Sequence, residues 1–458
     1  AICKGFLEAY FNMTCDHDPT CQRYRMPAGI TGMDLYNLYQ TVHKEERLEQ
    51  SQFYQIMSSN FPHVSFSKSQ KCTKCTDCSN FKQLIDKEKN LEKRKELMTI
   101  RYLHLQQQQN ERESYYVRRA QAEMRPHHAL SLIIDGMDQR KTDLPHYKAW
   151  NNPNGAGSKK LRTHIMGSIV HGRNKHFFVD YNQYPHNTNM SLTILLNILI
   201  NEAKYHRLPP VLYIQLDNTN KNKYFLGFLG YLVKRQFVKE VWLSFLIVGH
   251  THEDIDQAFS KISHKLNEES HKDQNSIALH LDTVWNISEW LGDSICQVHN
   301  VTFPHLYRIF SDQTGHVTVQ FKEFSTDVTW RPAWDEPPLE IFKLDERSQQ
   351  IIPKGLPSIV EPKMDEDDWL EVKRSMEKDF ELAAVSELDE VEWREFLENP
   401  FKKSEEPVCP LHLLQTYQEV ESYSTLSEKE NNLIMNYKKR AQAKQVSFND
   451  PEPFGMKN

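Results

Sequence analysis

Two apolar stretches that each run into an acid constrain this chain more than anything else in it. Ala129–Ile134 leads into Asp135-Gly136, and Val211–Leu216 leads into Asp217-Asn218. Their length and apolar composition read as buried strands. Two more strand patterns lie between them, Arg162–Val170 and Phe177–Tyr181, split by a turn at Gly172–Lys175. An apolar-periodic helix follows at Met190–His206, opened by Asn189 and closed before Pro209-Pro210. Beyond Leu216 come a helix at Tyr224–Lys234, a fifth strand at Val238–Val248 and a helix from near His252 to Leu266. The order is β-β-β-α-β-α-β-α. Three strands of antiparallel type followed by alternating helix and strand predict an α/β fold, a mixed sheet covered by helices.

Asp135 and Asp217 then fall at strand ends, where neighbouring carboxylates meet at one edge of a sheet. Hard oxygen ligands on a rigid support suit Mg²⁺ or Mn²⁺. Two such ions, ~4 Å apart, activate an attacking oxygen and stabilise a leaving one at a phosphodiester. A third acid is expected from the helix after the fifth strand, where Glu253, Asp254 and Asp256 are the candidates. Ile255, Ala258, Phe259, Ile262 and Leu266 form one apolar stripe that must face the sheet. At about 100° per residue, Asp256 borders that stripe, Asp254 borders its opposite edge and Glu253 points away. Asp256 is therefore the first choice, with Asp254 and Glu253 in reserve. The plain alternative is that strand-end Asp residues start turns and that acids in a first helical turn suit the helix dipole.

Charge is uneven. Residues 361–400 hold fifteen Asp/Glu against five Lys/Arg, so the net charge of -6 leaves about +4 on the remainder. Lys159, Lys160, Arg162, Arg173 and Lys175 occur with no acid between them, which fits contact with DNA phosphates. A charge run is also an ordinary solvated face. With 39% hydrophobic residues the chain can bury a core, and no apolar run approaches the ~20 residues that span a bilayer. No membrane partner is expected. The chain opens Ala-Ile-Cys-Lys without Met or a signal-peptide pattern, from which we expect further sequence ahead of it.

Five regions follow. Residues 1–80 read as a helical N-terminal module, with helices at Met33–Glu45 and at Gln52–Asn60 capped by Ser51, and a strand at His63–Ser67. This combination suits a small DNA reader or any small helical module. Residues 81–126 read as one long polar helix, with no Gly or Pro from Phe81 to Arg125; a linker or a homo-oligomer arm is expected of it. Residues 127–300 carry the mixed sheet, 301–360 a small β module, and 361–458 an acidic, then helical, partly disordered tail. Within the first region, Cys72, Cys75 and Cys78 lie at C-x₂-C spacing. Three thiols so close predict one structural Zn²⁺, with His63 or His104 as the fourth ligand. Plain free thiols are the alternative.

The blocks around Asp135-Gly-Met-Asp-Gln, Asp217-Asn-Thr-Asn-Lys-Asn-Lys and Gly249-His-Thr-His-Glu-Asp-Ile-Asp256-Gln resemble those of uncharacterised, transposon-like eukaryotic proteins. The strand order and acid placement also resemble the RNase H-like DDE/D transposases and integrases. Asp135 and Asp217 match that superfamily's first and second acids. His-Thr-x-x-x-Ile-Asp256 is similar to the His-Thr-Asn-x-Ile-Glu block of some bacterial insertion-sequence transposases, with one extra residue before the Ile and Asp in place of Glu. The resemblance implies a nuclear protein that uses two Mg²⁺ or Mn²⁺ ions to cleave and join DNA. A domesticated, catalytically silent DNA-binding or assembly protein on the same fold is the alternative. Gly249-His-Thr-His252 is also similar to the last block of calcineurin-like metallophosphoesterases, but that family's earlier motifs are absent from this sequence.

Overall fold

A computed structural model describes residues 2–17, 24–26, 31–43, 45, 47–66, 75–139, 142–143, 160–204, 207–247, 254–268, 279–333, 336–362, 366–383, 391, 394–395, 398 and 407–417. In the N-terminal module, α1 (Ile2–Thr14), α2 (Gly32–Val42) and α3 (Gln50–Asn60) pack with a small sheet of β1 (Asp16–His17), β2 (Tyr24–Met26) and β3 (Val64–Phe66). Leu7, Leu35, Tyr39 and Phe53 fill its centre. The helix α1 is additional to the two expected from spacing. Entry to α3 is through Glu49 rather than Ser51, and Gln52 accepts the Glu49 amide at 3.4 Å.

The single long helix expected over 81–126 is two helices. α4 (Thr76–Lys87) ends, and α5 (Leu91–Met124) restarts after Asn90. The Asn90 side chain accepts from the Glu92 and Lys93 amides at 3.0 and 3.2 Å. A stretch free of Gly and Pro permits one helix but does not require it, and a cap that satisfies two orphan amides is enough to begin another. α4 folds back along α5, so Cys75 and His104 meet although 29 positions apart.

The central sheet is built from β4 (Ala129–Gly136), β5 (His164–Val170), β6 (Lys175–Asp180), β7 (Val211–Leu216), β8 (Glu240–Phe245), β9 (Leu279–His280), β10 (Leu306–Ser311), β11 (Val317–Lys322) and β12 (Leu339–Glu340). Their order is β12-β11-β10-β8-β7-β4-β5-β6-β9. β4, β5 and β6 are antiparallel neighbours, while β7 lies parallel to β4 and β8 parallel to β7. The mixed α/β sheet read from the pattern is thus present. Residues 301–360, expected as a separate module, instead extend this sheet, because β10 pairs antiparallel with β8.

Helices cover both faces. α6 (Thr188–Ala203), α7 (Lys223–Lys234) and α9 (Ile287–Gly292) pack on one face, over Leu130, Leu132, Ile134, Ile214 and Leu243. Helix α6 is buried nearly all round, and its cap is Asn187, not Asn189. Asn187 accepts from the Asn189 and Met190 amides, while Asn189 is buried and bonds Asn286 at 3.0 Å. On the other face, α8 (Asp254–Glu268), the C-terminal half of α5 and α10 (Glu366–Ala383) converge over Ile133, Ile165 and Val179. The region expected to be an acidic tail therefore contributes Val372 and Trp369 to this layer. A later segment adds Cys409, Leu411 and Leu414 to the opposite core. Among the described residues, no helix is long and apolar enough to cross a membrane.

Candidate active site

Register brings the first two acids together. Ile133 pairs with Gln215 and Ile134 with Leu216 across the parallel β4–β7 ladder, so one further step along both strands sets Asp135 beside Asp217. Parallel neighbours lie about 4.8 Å apart. Leu130, Leu132, Ile134, Leu212, Ile214 and Leu216 all face the main core. Side chains alternate along a strand, so Asp135 and Asp217 both face the opposite layer. That is the layer onto which Ile255 and Phe259 of α8 pack, and Asp256 lies in the first turn of the same helix.

Electrostatics reports the same convergence. Burial pushes the Asp135 carboxyl up to about 7, opposed by the Gly136 amide that donates to it at 2.8 Å; the Asp256 and Asp217 carboxylates raise it further. A group of acids that perturb one another is the arrangement a bound cation relieves. Their oxygens do not all close to single-ion distance. Among the described residues, the group of three whose ligand atoms lie within 4.8 Å of one another is Cys75, Cys78 and His104. Two ions ~4 Å apart do not require all three acids on one ion. An all-carboxylate donor set fits Mg²⁺ or Mn²⁺.

The reserve acid Asp254 has another task. Its carboxylate accepts from Arg119 at 2.8 Å and from the Tyr115 hydroxyl at 3.1 Å, and His171 Nε2 lies 3.4 Å away. Burial works against its charge, but His171, Arg119 and Tyr115 hold the carboxyl below the usual range. His171 in turn sits 2.9 Å from the Ser131 hydroxyl. Asp254 thereby ties α8 to α5, β4 and the end of β5. The other reserve, Glu253, lies outside the described residues, as do His250 and His252 of the metallophosphoesterase reading.

A glycine seats α8. Gly167 stands opposite Asp135 in the β4–β5 ladder. A Cβ there would come within 2.7 Å of Phe259 and 3.0 Å of Phe177. The missing side chain lets Phe259 rest on the sheet and sets the height at which α8 presents Asp256.

The basic cluster is divided by the fold. Lys160 and Arg162 are exposed and precede β5, at the edge that carries Asp135. Arg173 lies in the turn past the far end of β5, roughly 10 Å or more along the strand at about 3.3 Å per residue, while Lys175 opens β6 opposite Ile169, near that same end. Arg173 is also engaged internally, with Glu202 at 3.2 Å and the Pro126 carbonyl at 2.7 Å. His176 lies 3.3 Å from the same Glu202. Arg173 is therefore already paired within the fold. Lys159 lies outside the described residues.

Sequence reasoning missed Lys221. It stands one helical turn past Asp217, donates to the Thr302 carbonyl at 3.1 Å and lies 5.1 Å over the Phe245 ring. Burial lowers its ammonium to about 8, against the Glu111 and Asp217 carboxylates, which favour the charge. A Lys four residues after a strand-end acid was the available signal. Beside the thiols stands His104, 3.2 Å from Cys75 Sγ, while His63 packs against Tyr24 and Phe61. Cys72 lies outside the described residues.

Comparison with known proteins adds little to this geometry. A family described as "Domain of unknown function (DUF7869)" matches residues 153–327. No curated protein matches. Among solved structures, a chain of the "Crystal structure of the Mos1 Strand Transfer Complex" is 12% identical; the alignment covers 54% of this chain and 82% of that one, with a TM-score of 0.23. A superposition so loose carries no argument about fold or chemistry.

Proposed function

We propose that the sheet domain is an RNase H-like, DDE/D-type polynucleotidyl transferase that cleaves and joins DNA phosphodiesters. What carries this reading is the register that sets Asp135 beside Asp217 at the ends of adjacent parallel strands, on the face where α8 brings Asp256. The central order β6-β5-β4-β7-β8, antiparallel through the first three strands and parallel thereafter, agrees with the β-β-β-α-β-α-β-α reading from which the resemblance was drawn. Mg²⁺ or Mn²⁺ bound there would supply Lewis acidity to the attacking and leaving oxygens. Asp135, Asp217 and Asp256 would hold the ions, and the raised Asp135 carboxyl would give up its proton as they bind. Lys160 and Arg162, exposed at that edge, would neutralise backbone phosphates, and Lys221 would favour a phosphate beside Asp217.

A second reading, a catalytically silent DNA-binding or assembly protein on the same fold, is favoured by one observation: the three acids stay wider apart than single-ion distance. The Asp217→Asn protein separates the two. It keeps the oxygen that accepts the Asn218 amide and removes only the charge. Loss of Mg²⁺- or Mn²⁺-dependent cleavage with DNA binding retained supports the enzyme. Full cleavage by the variant refutes the proposed chemistry. A wild-type protein that binds DNA and cuts with neither ion leaves the silent reading.

A further inference from the structure

Apart from the carboxylate edge, we propose that Cys75, Cys78 and His104 form a structural zinc site that fastens α4 to α5. Their ligand atoms all lie within 4.8 Å of one another, and Cys75 Sγ is 3.2 Å from His104 Nε2. Zinc bonds of about 2.3 Å to sulfur and 2.0–2.1 Å to nitrogen put tetrahedral ligands roughly 3.5–3.8 Å apart. Small side-chain movements therefore suffice to close the site. Two thiolates and an imidazole are a donor set for zinc and not for the hard cations of the carboxylate edge.

The local fold prepares the thiolates. Cys75 is the N-cap of α4, and Cys78 lies in its first turn. The orphan amides and dipole at a helix N-terminus favour negative sulfur. His104 approaches from the middle of α5, at a position fixed by the Asn90 cap that turns the chain between the two helices. Cys75 is buried and the other two groups are half-buried, so water competes poorly for these three of the four ligands that a structural zinc takes. Among the described residues of α4, Ile85 is the buried apolar one, Phe81 packs against the His104 ring and Leu84 is half exposed.

The position gives the site its purpose. α5 carries Tyr102 against the N-terminal module and donates from Gln109 to the Cys15 carbonyl at 3.5 Å. Farther along, Arg119 and Tyr115 bind Asp254 of α8. A zinc clamp on α4 stiffens the start of the rod that joins the N-terminal module to the sheet.

The full chain, purified under reducing conditions, is tested by elemental analysis and by Co²⁺ substitution. About one zinc per chain is expected, with Co²⁺ giving the intense ligand-field bands of a tetrahedral site and a thiolate charge-transfer band. Cys78→Ser and His104→Ala should each weaken binding by more than the roughly 10–100-fold that loss of an outer-shell partner costs. His104→Cys should retain the metal, which separates ligand loss from misfolding, and Cys296→Ser should bind as wild type does. Chelation should raise amide exchange in α4 while β4 and β7 stay protected. A folded wild-type chain without zinc, a Cys75–Cys78 disulfide in its place, or a Cys78→Ser protein with wild-type affinity overturns the proposal. None of these outcomes bears on the carboxylate chemistry.

Discussion

Asp254 and Asp256 stand two residues apart in one helical turn; Asp254 is bound within the fold, whereas Asp256 is the one proposed as a metal ligand. Replacing Asp254 with Ala removes the partner of Arg119, Tyr115 and His171 at a site where its own side chain is only 9% exposed. Breaking a buried pair from one side costs about 3–5 kcal/mol. Arg119 keeps 29% exposure and regains some hydration, so the low end, about 3 kcal/mol, applies. At about 2–4 °C per kcal/mol for a unit of this size, the melting temperature at pH 7 should fall by about 6–12 °C. Asp256→Ala removes no partner of Arg119, Tyr115 or His171, so it should cost less stability than Asp254→Ala, and it should lose metal-dependent cleavage. The acid limb adds a second check. The folded carboxyl of Asp254 is held below its ordinary value, so its stabilisation is full above the unfolded pKa of about 3.9 and fades as pH falls through the folded one. The stability gap between wild type and Asp254→Asn should therefore narrow below about pH 4. Thermal melts followed by circular dichroism across pH 3–7 read both effects. An Asp254→Ala protein that melts with wild type, or an Asp256→Ala protein that loses as much stability, would refute this division of roles.

Gly167→Ala should lower the denaturant midpoint by the equivalent of about 1–3 kcal/mol through its clash with Phe259, and Gly167→Ala combined with Phe259→Leu should recover part of it. Arg162→Ala should flatten the salt dependence of DNA binding by about one unit of slope. Arg173→Ala should leave that slope alone and lower stability through Glu202; salt titrations by fluorescence anisotropy distinguish them. Asn90→Ala should cost about 1 kcal/mol and raise amide exchange in the first turn of α5; equal protection in variant and wild type would mean the cap does not hold the break.

Much of the sheet was legible because its evidence is local. Ala129–Gly136 and Val211–Leu216 are apolar runs of strand length, and each ends in an acid within reach of a turn. Their alternation alone decides that Asp135 and Asp217 point to the same side once the strands are neighbours. The pattern of α8 likewise put Asp256 at the rim of its apolar stripe. What the sequence left open was decided by long-range partners. Nothing local tells Arg173 from Arg162. Glu202, on α6, pairs with Arg173 because a buried carboxylate needs a cation nearby. The same holds for Asp254 and Asp256, whose local settings are nearly alike until α5 brings Arg119 and Tyr115 to one of them. The joint at Asn90 depends on a cap that competes only slightly with continued helix, and α4 folds back because packing against α5 decides that balance. Strands β10 to β12 read as a separate unit because a strand's hydrogen-bonding edge carries no mark of which partner it will take. The sequence by itself determined which residues form strands and which faces are apolar, since propensity and periodicity act over a few residues. The tertiary structure alone decided which charges are spent on one another, since that depends on contacts between positions as far as 135 residues apart.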